Sequence, residues 1–250
     1  MWNIAKAQLY QLKRERLVLA MFFVILLIQM VFAFGVGDER IVSGSEYIAT
    51  MDSMSVMWTL FFVSVLVGQM TGKDFMDRTA NYELMTGHLR SEVFWGRAIP
   101  VLVLGTVGTM ILVLAPVVVM SAAYGWGDKI TVGQYAVRFV LMAFPILRII
   151  SELIFLTMLT KNAYLTMVLG YLMVMLGDVF PPNVILGVSN VNLLCQYSSW
   201  GIYSFGDYEY VMYQGDLSAS SAIATVLSSL IFGAAFLVLS NSYFKKDDLR

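Results

Sequence analysis

Six apolar runs, each near the length that crosses a lipid bilayer, decide what this chain can fold into. They lie at residues 17–35, 53–72, 98–124, 135–160, 163–180 and 219–241. A hydrocarbon core of about 30 Å takes about 20 residues of α-helix, because no backbone amide inside it can go without an intramolecular partner. The fourth run is the least uniform, since Arg138, Pro145, Arg148 and Glu152 interrupt it. Composition agrees with the runs: 59% of residues are hydrophobic and 13% are charged, against roughly 25% charged in soluble domains. That shortfall leaves too little polar surface to face water, so lipid is the solvent. The reading is an all-α membrane protein of six transmembrane helices, built as one domain over residues 1–250 with no linker or clear repeat dividing it.

Lysine and arginine set the orientation. With the N-terminus inside, cytoplasmic segments hold Lys6, Lys13, Arg14, Arg16, Lys73, Arg78, Arg90, Arg97, Lys161, Lys245, Lys246 and Arg250, twelve of the sixteen basic residues. Outer segments keep Arg40 and Lys129, beside the acidic Asp38, Glu39, Glu46, Asp207, Glu209 and Asp216. Both termini are therefore expected on the cytoplasmic side of an inner membrane, as an even number of spans requires. The first run follows Lys13, Arg14 and Arg16, as a signal peptide would. It exceeds the usual apolar stretch of about 7–15 residues, however, so it is read as an uncleaved helix.

Four segments depart from plain apolar helix. In residues 1–16, Trp2, Ala5, Leu9 and Leu12 recur at helical spacing, which predicts an interfacial helix along the cytoplasmic membrane face. A simple basic tail that fixes topology is the competing reading. Between the second and third runs, residues 73–92 predict a helical hairpin. Thr79 suits the cap of a short helix, Gly87 its left-handed C-terminal end, and Ser91 the cap of the next helix with Glu92 in its first turn. Four basic and four acidic residues from Lys73 to Arg97 balance one another. Balanced charge fits a protein-docking surface better than an anionic-lipid anchor. A solvated hairpin with no partner would carry the same pattern.

In the fourth run, Arg148 and Glu152 are four apart on one helical face. Charges at membrane depth pair with one another or line a wet cavity, so the two are either a structural ion pair or part of a translocation path. Finally, residues 180–218 open on Pro181-Pro182 and carry Tyr197, Trp200, Tyr203, Phe205, Tyr208, Tyr210 and Tyr213 without a lysine or arginine. This pattern predicts short, partly re-entrant helices over the outer leaflet.

Several chemistries are excluded. Thr71-Gly72-Lys73 lacks the upstream glycine loop and following hydroxyl of a phosphate-binding P-loop. His88 is the one histidine and Cys195 the one cysteine. That rules out an intrachain disulfide, a multi-histidine or multi-cysteine metal site and a histidine-based triad. Net charge of −1 argues against nucleic acid as a partner. The chain is expected not to be an enzyme.

The segment Asp74-Phe75 with Arg78-Thr79, then Tyr82-Glu83-Leu84, Gly87, Arg90 and Arg97 before a long apolar run, resembles the coupling helix of type-2 ATP-binding-cassette (ABC) exporter permeases. The six-run topology, the N-terminal interfacial segment and the outer segment between runs five and six extend that resemblance over essentially the whole chain. Among such permeases, the short chain looks most like bacterial exporters of peptides, including those that give resistance to lantibiotics and bacitracin or export phenol-soluble modulins. The resemblance implies two permease chains, identical or paralogous, each holding a separate cytoplasmic ABC ATPase subunit. ATP and magnesium would bind in that subunit and no cofactor in this chain. Thr79, Tyr82, Glu83, Leu84, Met85 and Thr86 would then form the coupling helix, passing ATPase movement to the spans to export a peptide or an amphipathic or lipophilic substrate. A secondary transporter using Arg148 and Glu152 is the alternative. It usually shows internal repeats with interrupted helices, which this chain lacks.

Overall fold

A computed structural model describes residues 2–34, 43–50, 53–77, 79–128, 130–179 and 219–246. Every regular element among them is a helix. In chain order these are α1 (Trp2–Arg14), α2 (Arg16–Ala33), α3 (Gly44–Thr50), α4 (Ser53–Val67), a π-helical segment (Gly68–Gly72), α5 (Lys73–Met76), α6 (Thr79–Met85), α7 (Arg90–Tyr124), α8 (Val132–Thr160), α9 (Ala163–Val179) and α10 (Ala219–Lys246). The expected outer aromatic cap over residues 180–218 lies outside the described residues.

The molecule is a membrane protein by the length and apolarity of its helices. Four described helices qualify outright: α2, α7, α8 and the Val226–Lys246 part of α10. Helix α4 runs without a break through the π segment into α5, because Val67, Gly72 and Lys73 all keep right-handed helical backbone. The backbone is thus helical from residue 53 to 76. The apolar stretch recorded in α9 is shorter, Ala163–Leu172.

Helix α7 begins at Arg90, close to the start expected from a cap at Ser91 and eight residues before the apolar run that opens at 98. Its 35 residues, at 1.5 Å each, make it about 52 Å long. About 20 Å of it therefore extends beyond a hydrocarbon core of about 30 Å. Leu89, with extended backbone, is the N-cap, so Ser91 lies inside the helix. The Leu89 amide donates to the Glu92 carboxylate, which takes over the start-signal role expected of Ser91. Pro100 and Pro116 in α7 and Pro145 in α8 are carried within the helices, as neighbouring helices in membranes permit.

A second departure is α3, which falls in a stretch read as loop. The Ser43 hydroxyl accepts from the Glu46 amide at its start. Gly44 and Ser45 donate to the carbonyls of Gly125 and Trp126, and Tyr47 and Ile48 are buried. The Ser43-Gly-Ser-Glu46 capping pattern carries that signal.

Helix α8 packs most extensively on α10 and also against α7 and α9. The core runs through α2, α4, α7 and α8, with Ile25, Val63, Leu112 and Ile150 fully buried. Between α2 and α4 the buried Gln29 Nε2 donates to Thr59 Oγ1 at 3.0 Å. Interhelical hydrogen bonds of this kind contribute about 0.6 kcal/mol on average and up to about 1.7. Thr59→Val should cost no more than that upper figure in thermal unfolding in mild detergent. A larger loss would place this pair at a structural keystone.

At one end of the bundle α1, α5, α6, the start of α7, the α8–α9 turn and the end of α10 converge. At the other end lie α3 and the turn around Gly125. Lys161 closes α8 in the left-handed region (φ 51°), and Asn162 Oδ1 accepts from the Tyr164 and Leu165 amides to start α9. The described N-terminal helix and the C-terminal end of α10 thus share one end, which also holds most of the basic residues.

Candidate functional site

The site is a buried polar cluster at that convergent end, under the hairpin. Asp74, on α5, is 2% exposed, and Arg97, on α7, is 8% exposed. Arg97 forms ion pairs with Asp74 at 2.5 Å and with Glu83 of α6 at 3.0 Å. The Thr79 hydroxyl donates to the Asp74 carboxylate and to its backbone carbonyl, and Arg97 also donates to Thr79. Thr79 is the first residue of α6, and its hydroxyl ties the hairpin internally. From α1, Gln8 Nε2 donates to Asp74. One carboxylate thereby joins four helices.

Burial pushes the Asp74 carboxyl above its ordinary range; the Arg97 guanidinium and the hydrogen bonds from Gln8 and Thr79 pull the other way. Beside it Lys73 donates to both Glu15 oxygens at 3.0 Å, and that bond raises the Lys73 ammonium above its usual value despite partial burial. Here α5 is bound to the α1–α2 junction.

Aromatic packing closes the cluster from below. Phe244, near the end of α10, is 2% exposed and packs against Phe75 and Phe94. Arg90 donates to the carbonyls of Phe244 and Lys245, occupying acceptors that a helix end leaves open. A cavity of about 20 Å³ lies between Thr71, Asp74, Phe75, Phe94, Arg97 and Phe244, room for about one water molecule.

The residues expected to couple divide into two sets. Thr79 and Glu83 belong to the cluster, and Leu84 is half-buried against the core. Tyr82 and Met85 face outward at 67% and 81% exposure, followed by Leu89 at 68%. Thr86 is exposed, its hydroxyl donating to the Glu83 carbonyl. Gly87 has φ +90°, the left-handed backbone that its position predicts and that glycine adopts at little cost. The inner set anchors the hairpin and the outer set offers a surface.

Arg148 and Glu152 lie elsewhere, in the interior of α8. They are 1% and 6% exposed, and neither is without a partner. The Arg148 guanidinium stands over the Phe232 ring of α10 at 6.0 Å. Gly233 lies beside them, where even an added Cβ would be 3.6 Å from the Arg148 Cα. Arg148 therefore sits at the α8–α10 contact, with Glu152 one turn further along α8.

Gln8 is the residue that sequence reasoning missed. The predicted apolar face of α1 was Trp2, Ala5, Leu9 and Leu12, yet the packed face is Ile4, Ala5 and Gln8, with Trp2 and Leu9 exposed. The available signal was the Ile4–Gln8–Leu12 stripe, where a lone amide interrupts apolar residues one turn apart. Among the described residues no group of three His, Cys, Asp or Glu side chains could hold a metal ion. No family model matches the chain, and no curated protein matches it by sequence.

What the geometry offers is mechanical. A short amphipathic hairpin is bolted by charge to α1 and α7, is continuous with α4 through the π segment, and leaves an apolar rim exposed.

Proposed function

We propose that this chain is the passive membrane subunit of an ATP-driven exporter, a type-2 ABC permease with six spans and both termini cytoplasmic. A separate cytoplasmic ATPase docks on its hairpin, and a second permease chain completes the path for a peptide or an amphipathic or lipophilic substrate. The carrying observation is the division of the hairpin into a buried ionic anchor (Asp74, Arg97, Glu83) and an exposed apolar rim (Tyr82, Met85, Leu89). A solvated loop has no use for either. Large exposed apolar side chains beside a rigid anchor suit a protein partner, and a continuous helix from 53 to 76 suits transmission of its movement to the spans. The six-span reading adds the continuous helix over residues 53–72 and the 17-residue α9 to the four helices of spanning length.

The test is to look for a P-loop ATPase gene beside this one, co-express its product with this chain, and measure co-purification and ATP hydrolysis; the absence of such a gene would count against the reading. Met85→Asp and Tyr82→Ala should lower ATPase co-purification by tenfold or more, because interface anchors are worth about 2 kcal/mol or more each. Neither change should alter the melting temperature of the permease alone. Leu84→Asp, by contrast, should loosen the hairpin itself and lower that temperature. If Met85→Asp retained full assembly and coupling, the rim would not be the docking surface.

A further inference from the structure

Helix α1 spends only one side on the protein. Ile4, Ala5 and Gln8 are buried against the rest of the chain, whereas Trp2, Lys6, Leu9, Tyr10, Lys13 and Arg14 are exposed. Positions 2, 6, 9 and 13 recur at one-turn spacing, so Trp2 and Leu9 share a stripe with Lys6 and Lys13. The helix contains no Asp or Glu, and the next carboxylate, Glu15, is held by Lys73. Among the described residues no ion pair involves Lys6, Lys13 or Arg14. Two of these charges lie on rings, with Lys6 5.7 Å from the Trp2 centroid and Arg14 4.6 Å from that of Tyr10.

A face of this kind has one well-matched environment. Indole and phenol rings settle at headgroup depth, long basic stems reach past them to phosphate, and uncompensated positive charge selects anionic lipid. An acidic protein surface would satisfy the charge but not the exposed Trp2 and Leu9 beside it. The apolar α2 begins at Arg16, two residues after α1 ends, so α1 is held at the membrane surface.

We propose that the exposed face of α1 is a binding site for anionic phospholipid headgroups, and that Gln8 and Glu15 behind it link occupancy of the site to the hairpin. The headgroup site stands independently of the exporter reading; the meaning of the link for coupling rests on it. Gln8 reaches Asp74, and Glu15 reaches Lys73. A lipid that fixes α1 therefore fixes the base of the hairpin.

The purified chain, in nanodiscs of phosphatidylcholine with or without phosphatidylglycerol, is followed by hydrogen exchange, with no ATPase present. Phosphatidylglycerol should slow exchange over residues 2–14 and over 79–85, and raised salt should reverse both effects. Lys6→Gln/Lys13→Gln/Arg14→Gln should abolish the response while exchange in α8 stays unchanged. Each basic residue near an anionic surface is worth about fivefold in affinity, so the three amount to on the order of a hundredfold. Gln8→Leu should keep the response in α1 and weaken it over 79–85. Identical exchange in the two lipids, or a response that survives the triple change, would overturn the lipid site. An unchanged response over 79–85 in Gln8→Leu would overturn the link. Because the lipid readout omits the ATPase, it can fail or succeed whatever becomes of the exporter reading.

Discussion

Arg97→Met should destabilise the protein by about 3–5 kcal/mol, the range for removing one partner of a buried ion pair. The loss comes from what remains. Asp74 is 2% exposed, and its carboxylate would be left with only Gln8, Gln11 and Thr79 to solvate it. Glu83 also loses its partner, but its side chain is 25% exposed and can turn toward water. Asp74→Leu/Arg97→Met should recover most of the loss, because apolar replacement of a whole buried pair is often close to neutral. Thermal unfolding in mild detergent reads both variants. If the double variant were as unstable as the single one, geometry and not charge would be the role of Arg97.

The same variant carries a pH signature. Burial raises the folded-state pKa of Asp74 above its ordinary value of 3.8. The native state then binds this proton more tightly than the unfolded state, and the group's contribution to stability falls as pH rises through the folded pKa. Arg97 is the largest influence opposing that rise. Arg97→Met should therefore regain stability on acidification from neutral pH toward the ordinary carboxylate range, more steeply than the unaltered protein. A melting temperature with the same pH slope in both would show that Asp74 is solvated by groups other than Arg97.

The helices were legible because lipid imposes one rule everywhere: an apolar run of the right length is helical, since no other backbone satisfies its own amides there. The hairpin was legible too, because Thr79, Gly87 and Glu92 mark helix ends through local backbone chemistry. What could not be read was which side of a short amphipathic helix meets the protein. In α1 the apolar count favoured Trp2 and Leu9, but the buried side is chosen by Gln8, whose partner is 66 residues away. The charged start of α7 shows the same limit: the expected cap at Ser91 marks the helix start to within about a residue, but the partners of Arg90, Glu92 and Arg97, which are Phe244, Leu89 and Asp74, are not written in the local pattern. Local pattern cannot reveal partners that only folding supplies. The π segment belongs to the same class, since apolar periodicity does not register one residue too many in a turn.

That segment gives the second large effect, and it is one of sign. Replacing glycine by alanine inside a helix ordinarily gains about 1 kcal/mol. At Gly72 an added Cβ would lie 2.6 Å from the Cα of Ala163 and 2.8 Å from its amide nitrogen. Both are backbone atoms, so no rotamer change relieves the overlap and α9 must move. Gly72→Ala should therefore cost about 1–3 kcal/mol, the range for forced overpacking. Gly233→Ala is the matched control: its Cβ would make only ordinary contacts, 3.6 Å to Arg148 Cα and 3.7 Å to Ser151 Oγ, and it should be neutral or gain up to about 1 kcal/mol. Melting temperatures that moved the same way in both variants would refute the close contact. The contact also has a mechanical meaning. A π turn loosens the regular hydrogen-bond ladder, and here it joins α4 to the hairpin while Gly72 rests on the first residue of α9. Movement of α5 and α6 must then pass through a joint braced on a neighbouring helix. On the proposed exporter reading, Gly72→Ala should consequently reduce ATPase coupling at temperatures where the variant is still folded, whereas Gly233→Ala should not.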